Sequence, residues 1–281
     1  MTQQLDIPTL ASDYPLDADA IAAYRQNGHV HLPQVVTREE LAVYRPAIVE
    51  ATNRHNQEKR ALEERDTYSK AFLQVMNLWT KDDIVRRFVL ARRFGKIAGD
   101  LMGVDGVRIY HDQALFKESG GGYTPMHQDH YYWPLDTDQT ITMWMPLVDL
   151  PAEVGGMRFA SGSQNAGYLG ELPISDRSEE VLKQLIEERN FRLVETGAIN
   201  AGDATFHSGW TLHGAQPNTS PMMREVMTII YFGDGAHVTA PESEGQRSDL
   251  HTWFQGLGPG DVAAGELNPL VYSKRAVSGS R

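Results

Sequence analysis

The chain has 281 residues, with 26 Lys and Arg against 37 Asp and Glu, giving a net charge of −11 with neutral histidines. That length carries one large domain or two modest ones, and the charge disfavours nucleic acid or an anionic membrane surface as the main partner, because basic charge is the usual footprint of such binding. At 41% hydrophobic and 22% charged the composition is globular, not disordered.

In chain order, residues 17–26 read as a helix closed by Gly28, and residues 29–32 as a short strand. The capping box Thr37, Arg38, Glu39, Glu40 opens a second helix through LAVYRPAIVEA. A further helical run starts at Thr80 to Asp83 and ends at Gly103, with Arg86, Arg87, Arg92 and Arg93 expected on a solvated face. The period then changes. Residues 107–116, 139–148, 203–207 and 225–232 are β-branched and aromatic runs separated by Gly, Pro, Asp and Ser, which is how a β-sandwich or barrel reads. SEEVLKQLIEER, residues 178–189, is an amphipathic helix inserted between strands, and the polar tail after Leu270 is expected to be disordered. With no repeat and no linker, the reading is one domain, helices at about 15–103 packed on a β core at about 104–275.

The absence of cysteine removes disulfides, thiolate nucleophiles, Cys-ligated zinc and iron–sulfur clusters together. MTQQLDIPTLASDY lacks a basic n-region followed by an apolar stretch, and no segment approaches the ~18 apolar residues of a membrane span, so a soluble, cytoplasmic chain is expected. No His is followed by Glu as in the helical zinc-protease motif, and no GxSxG elbow, P-loop or GxGxxG after a strand occurs.

The informative stretches are TPMHQDHYYWP, residues 124–134, and FHSGWTLHGAQPN, residues 206–218. On a strand, His127 and Asp129 point to one face about 6–7 Å apart along the chain and can chelate one ion; on a helix they diverge by roughly 200°. With ten histidines, about half an HxD is expected by chance. The motif gains weight from His213 in a second β-rich segment, followed by Arg224 at the start of EVMTIIYF.

In this order, His127, Asp129, His213 and Arg224 resemble the iron(II)/2-oxoglutarate dioxygenases, and the surrounding sequence resembles the phytanoyl-CoA dioxygenase family in particular. YRQNGHVHLPQVVTREEL, the HQD motif, TITMWMPLVDL, GGMRFASGSQ, TLHGAQPNTS and NPLVYSKR carry the likeness over residues 17–275. Where the family usually has GSH, this chain has Gly162-Ser163-Gln164. The resemblance implies a mainly β fold with flanking helices, a double-stranded β-helix (jelly roll, cupin-like), and iron(II), 2-oxoglutarate and O2 as cofactor and cosubstrates. Two neutral imidazoles and one carboxylate leave open positions on iron. The far carboxylate of 2-oxoglutarate then needs a partner, and the permanently charged planar fork of Arg224 suits it. Decarboxylation to succinate and CO2 would accompany oxidation of an unactivated C–H bond. Asp129 favours hydroxylation over halogenation, since related halogenases carry a small residue there.

Gln113 and Thr142 are candidate cosubstrate contacts, with Ser163 a further hydroxyl; a solvent-facing strand Gln, an ordinary strand Thr and a turn Ser are the plain alternatives. His111 shares a strand face with Gln113 and is a candidate substrate contact. Tyr132, Trp133, Trp144 and Trp210, with Tyr131, are candidates for an aromatic pocket taking an apolar or ring-containing substrate, although sandwich packing enriches aromatics in the same way. His29 and His31 read as a surface pair, His130 as structural, and His207 as a ligand or supporting group against a plain core histidine. The substrate expected is a small, moderately apolar secondary metabolite: an acyl-CoA finds no basic segment beside the active-site strands. A cupin-type metal-dependent hydrolase or isomerase, and a non-catalytic jelly-roll binding protein, remain the alternatives.

Overall fold

The computed structural model describes residues 6–275. Helix α1, Ala18–Asn27, starts where the Asp17 carboxylate accepts from Ala20 N and stops at Gly28, whose φ of 78° is left-handed. Strand β1 is His29–Leu32, and α2, Arg38–His55, opens with the expected capping box, Thr37 and Glu40 each accepting the other's backbone N–H. Two elements then appear that the sequence did not signal: the short helix α3, Thr67–Ala71, and strand β2, Leu73–Met76.

The single helix expected up to Gly103 is two, α4 (Asp83–Val89) and α5 (Arg92–Met102), separated by extended Ala91. No Pro or Gly marks the break; tertiary contacts impose it. Arg93, expected in solvent, is buried, forking onto both Glu40 oxygens at 2.8 Å and donating to the carbonyls of Ser12 and Val35. Arg86 (over the Trp79 ring), Arg87 and Arg92 remain exposed.

The β core follows: β3 Gly106–Phe116, β4 Thr124–His127, β5 Thr140–Pro146, β6 Met157–Ser161, then α6 Asp176–Glu188, β7 Arg192–Glu195, β8 Ala204–Ser208, β9 His213–Ala215, β10 Val226–Gly233, α7 Glu244–Trp253 and β11 Leu270–Ser273. Leu270–Ser273 is therefore strand, not disordered tail; residues 276–281 lie outside the described part. One sheet runs β1-β8-β5-β10-β3-β11, with β2 also on β3, and the other β4-β9-β6-β7. Each strand pair is antiparallel. The two sheets make the jelly roll expected.

The outer face of the larger sheet (Val107, Ile109, Ile141, Met143, Met145, Ile229) packs in one cluster with Tyr44 and Ile48 of α2, Phe88 of α4 and Phe94 and Ile97 of α5. The helices thus cover one face, and the opposite face looks across at the smaller sheet. Among the described residues no helix is long and apolar enough to cross a membrane.

Candidate active site

Strands β4 and β9 pair with His127 directly opposite His213, and the two imidazole centroids are 4.1 Å apart. Asp129 is not on a strand, as the HxD reading assumed, but opens a 3-10 turn, Asp129–Tyr132. Gln128 between is extended (φ −116°, ψ 126°), so His127 and Asp129 still project to one side. The turn is held in place where His130 N donates to Gly209 O. Gly209 permits that approach, since a Cβ there would lie 2.4 Å from Thr140 Oγ1 and 2.5 Å from Trp133.

The ligand atoms of His127, Asp129 and His213 lie within 4.8 Å of one another, and Asp129 Oδ1 is 3.4 Å from His127 Nε2 and 3.6 Å from His213 Nε2. His127 Nδ1 donates to Pro125 O at 2.7 Å and His213 Nδ1 to Thr211 O at 3.0 Å. A carbonyl can only accept, so both Nδ1 atoms carry the proton and both Nε2 lone pairs face Asp129. Burial, with His127 and His207 beside it, holds His213 well below the usual imidazole range. Two neutral imidazoles and one carboxylate fit a divalent transition metal.

The larger sheet supports this group from the other side. Thr142 and His207 are cross-strand neighbours on β5 and β8. The Thr142 hydroxyl donates to Asp129 Oδ2 at 2.8 Å, and His207 Nε2 lies 3.3 Å from the same oxygen. Thr142, expected at the cosubstrate, is thus spent on the carboxylate. His207 is fully buried, its ring tilted against that of His213 with centroids 4.1 Å apart.

Arg224 is 1% exposed, with no carboxylate in reach among the described residues. Its Nη1 donates to Gly155 O at 2.6 Å, its Nε has no partner, and the guanidinium sits 5.6 Å from the Trp144 ring centroid. Burial pulls it down to about 9. The nearby Lys117, also fully buried, donates to the carbonyls of Gly122 and Gln216; burial and the neighbouring Arg224 and Arg158 push it down to about 5. Near neutral pH the lysine is therefore uncharged, and Arg224 is the cation in need of an anion.

These groups share a cavity of about 380 Å³. His111, Gln113, Tyr132, Trp133, Thr142 and Trp144 line it with the triad and Arg224. Gln113 accepts from Gln74 Nε2 at 2.6 Å through its side-chain oxygen. Trp210 does not line it: its Nε1 donates to Asp138 and its ring packs at a tilt against His130, on a separate depression. Ser163 accepts from Leu212 N and Gln164 donates to the carbonyls of Arg25 and Gln26, so the GSQ turn braces the chain before His213. His29 turns inward onto Phe159 and His31 faces Asp203 at 3.4 Å. Cavity residues without a sequence signal are Tyr68, Phe72, Gln74 and Asp249; no spacing relates them to the HxD motif.

A jelly roll seating two imidazoles and one carboxylate at the mouth between its sheets carries the donor set of non-haem iron(II) oxygenases. Residues 24–226 match the family described as phytanoyl-CoA dioxygenase. The chain is 23% identical over 238 residues to the ectoine dioxygenase of Streptomyces avermitilis, covering 77% of this chain and 79% of that one. Among solved structures it is similar to the non-haem alpha-ketoglutarate-dependent carbocyclase SnoK from nogalamycin biosynthesis (TM-score 0.75, 27% identity, 92% and 99% of the two chains). The epimerase SnoN from the same biosynthesis also matches (0.72, 26%, 90% and 97%). The chain belongs to the phytanoyl-CoA dioxygenase family of non-haem iron(II)/2-oxoglutarate-dependent oxygenases, whose cofactor is iron(II) and whose cosubstrates are 2-oxoglutarate and O2.

Proposed function

We propose that the protein oxidises an unactivated C–H bond of a small, moderately apolar metabolite, with release of succinate and CO2. His127, Asp129 and His213 hold the iron, and Arg224 with Gln113 holds 2-oxoglutarate. The carrying observation is that Arg224, buried and without a carboxylate partner among the described residues, opens into the same cavity as the His/Asp/His group. A dicarboxylate reaching from the metal to a fixed guanidinium satisfies both ends. Iron with 2-oxoglutarate supplies the power to activate O2 for attack on a C–H bond.

The protein's own side chains do the positioning. The Nδ1 bonds to Pro125 and Thr211 fix the imidazole planes, and Thr142 fixes the carboxylate. Tyr132, Trp133 and Trp144 give the cavity apolar walls, which exclude water and favour a ring-containing or otherwise apolar substrate. The kinship with enzymes of an antibiotic pathway supports a secondary metabolite. The test is anaerobic titration of the iron(II)-loaded protein with 2-oxoglutarate, following the weak visible charge-transfer band of the chelated cosubstrate. The band is expected in the wild type, absent in Asp129→Ala, and shifted in Arg224→Ala to higher concentration by a factor corresponding to about 2–4 kcal/mol. No band in a protein with bound metal would sink the proposal and leave the cupin-type hydrolase or isomerase.

A further inference from the structure

The cavity has a second charged wall. Asp249 of α7 lines it, and its Oδ2 accepts from the Tyr110 hydroxyl at 2.7 Å. Tyr110 is adjacent to Asp249 because β3 is irregular there: opposite β10, Ile230 faces His111 and Tyr231 faces Ile109, leaving Tyr110 as an extra residue. Such a bulge changes the strand's facing. Before it, Val107 and Ile109 face the helices; after it, Ala114 and Phe116 do, with His111 and Gln113 on the cavity side. Tyr110 joins the cavity-side cluster with Trp133 and Phe254.

Nothing cationic answers this carboxyl. Its partners are Tyr110 and the Trp253 indole, and among the described residues no Lys, Arg or His pairs with it. Burial pushes it up to about 7 against those two hydrogen bonds. His111, next along β3, is pushed by burial down to about 3, so it stays neutral and offers no counter-charge. Arg224 is far away: it bridges Lys117 just past the end of β3, seven positions from Tyr110, or roughly 20 Å at the usual strand rise. The cavity therefore carries a guanidinium near the Lys117 end of β3 and a carboxyl beside the Tyr110 bulge, with the proposed iron ligands lining the same cavity. At the carboxyl end the Trp133 ring lies 5.4 Å from that of Tyr110, and the Tyr132 ring packs against Gly245 of α7. The Tyr68 hydroxyl is held in its protonated form, up to about 12, by burial against its hydrogen bond to Gln74, with the Asp129 and Asp249 carboxylates adding to the effect.

We propose that Asp249 receives a cationic nitrogen of the substrate, so that the metabolite oxidised is an amine whose ammonium sits against this carboxylate and the surrounding rings. This rests on the dioxygenase reading above and narrows its substrate class. An unpaired carboxyl in an aromatic-walled cavity recognises an ammonium twice, by charge-assisted hydrogen bonding and by cation–π attraction. A neutral hydroxyl has use for neither to the same degree. The net charge of −11 also draws a cation toward the cavity. Holding Tyr110 does not by itself require a carboxyl, since an amide oxygen also accepts from a phenol.

The protein loaded anaerobically with iron(II) and 2-oxoglutarate is titrated by calorimetry near neutral pH with cyclohexylammonium and, separately, with cyclohexanol. The ammonium is expected to bind about tenfold more tightly or better, the fold-change of a single charge-assisted contact, and Asp249→Asn, which keeps the shape and the acceptor for Tyr110, is expected to erase that preference. The charge-transfer band in Asp249→Asn shows that the site is still assembled. A wild type without preference, or an Asp249→Asn protein that retains it, overturns the inference. A preference for the ammonium in a protein that shows no 2-oxoglutarate band keeps the cation site and overturns the dioxygenase reading instead.

Discussion

The two oxygens of Asp129 face different partners. Oδ2 takes the Thr142 hydroxyl at 2.8 Å and lies 3.3 Å from His207, while Oδ1 turns to His127 and His213. An acceptor with one oxygen already bonded offers the other in a fixed direction, and removing such a support commonly costs 10- to 100-fold in metal affinity. Thr142→Val keeps the shape and loses the hydroxyl; iron(II) binding measured against a competing chelator is expected to weaken by about tenfold. Unchanged affinity would show that His207 and the turn alone orient the carboxylate. At the other end of the cavity, desolvation separates two buried cations by type: the lysine gives up its proton, whereas the guanidinium of Arg224, with its much higher starting value, remains charged.

At the scale of elements, the working parts are irregularities. The β3 bulge turns Tyr110 into the cavity side, and a 3-10 turn rather than a strand carries Asp129. Another tight turn, Ala152–Val154, ends at Gly155, whose φ of 87° suits glycine and whose carbonyl accepts from Arg224 Nη1. A Cβ at Gly155 would come 2.4 Å from Gln216 O, so backbone must shift, and with it the carbonyl that aims the guanidinium. Gly155→Ala is therefore expected to raise the dissociation constant for 2-oxoglutarate by roughly tenfold, the equivalent of one misaligned hydrogen bond to a charged group, while iron(II) affinity is unchanged. A protein that lost thermal stability alone, with 2-oxoglutarate affinity intact, would contradict this role for the turn.

Across the whole molecule, the helical layer is clamped to the β core by forked ion pairs as well as by apolar packing. Arg45 of α2 reaches Glu225 at 2.7 and 2.8 Å, and within the layer Arg93 of α5 holds Glu40 of α2. The Arg93 hydrogen bond, against the opposing effect of burial, lowers the Glu40 carboxyl below its ordinary 4.5. A carboxyl whose folded value is depressed contributes stability that is complete above its unfolded value and disappears as pH falls through the folded one. Acid should accordingly loosen the helical layer from about pH 4.5 downward. Glu40→Gln leaves Arg93 buried without its charge partner and is expected to cost on the order of 3 kcal/mol in urea unfolding at pH 7, with the difference from wild type shrinking below pH 4.5. A difference independent of pH would mean that hydrogen bonding, not charge, joins these helices.

What could be read along the chain were features carried by near neighbours. Asp17 and Gly28 bracket a helix, Thr37 and Glu40 cap one another, β-branched and aromatic runs mark β3, β5, β8 and β10, and His127 and Asp129 face one side because a single extended residue separates them. Their likeness to a known family brought His213 and Arg224 into the same reading. Tertiary structure decided the rest. Nothing local breaks the helix at Ala91 or buries Arg93; the Arg93 N–H goes to Leu10 O, and its guanidinium to Glu40 on another helix. Trp210, near His213 in sequence, faces a different depression, while Tyr68 from the helical third and Asp249 from the helix between β10 and β11 meet in the cavity. Periodicity and capping depend on backbone geometry over a few residues. Which remote side chains share a cavity depends on strand registers and on a bulge such as the one at Tyr110, and these are settled when the sheets pack against each other and against the helices.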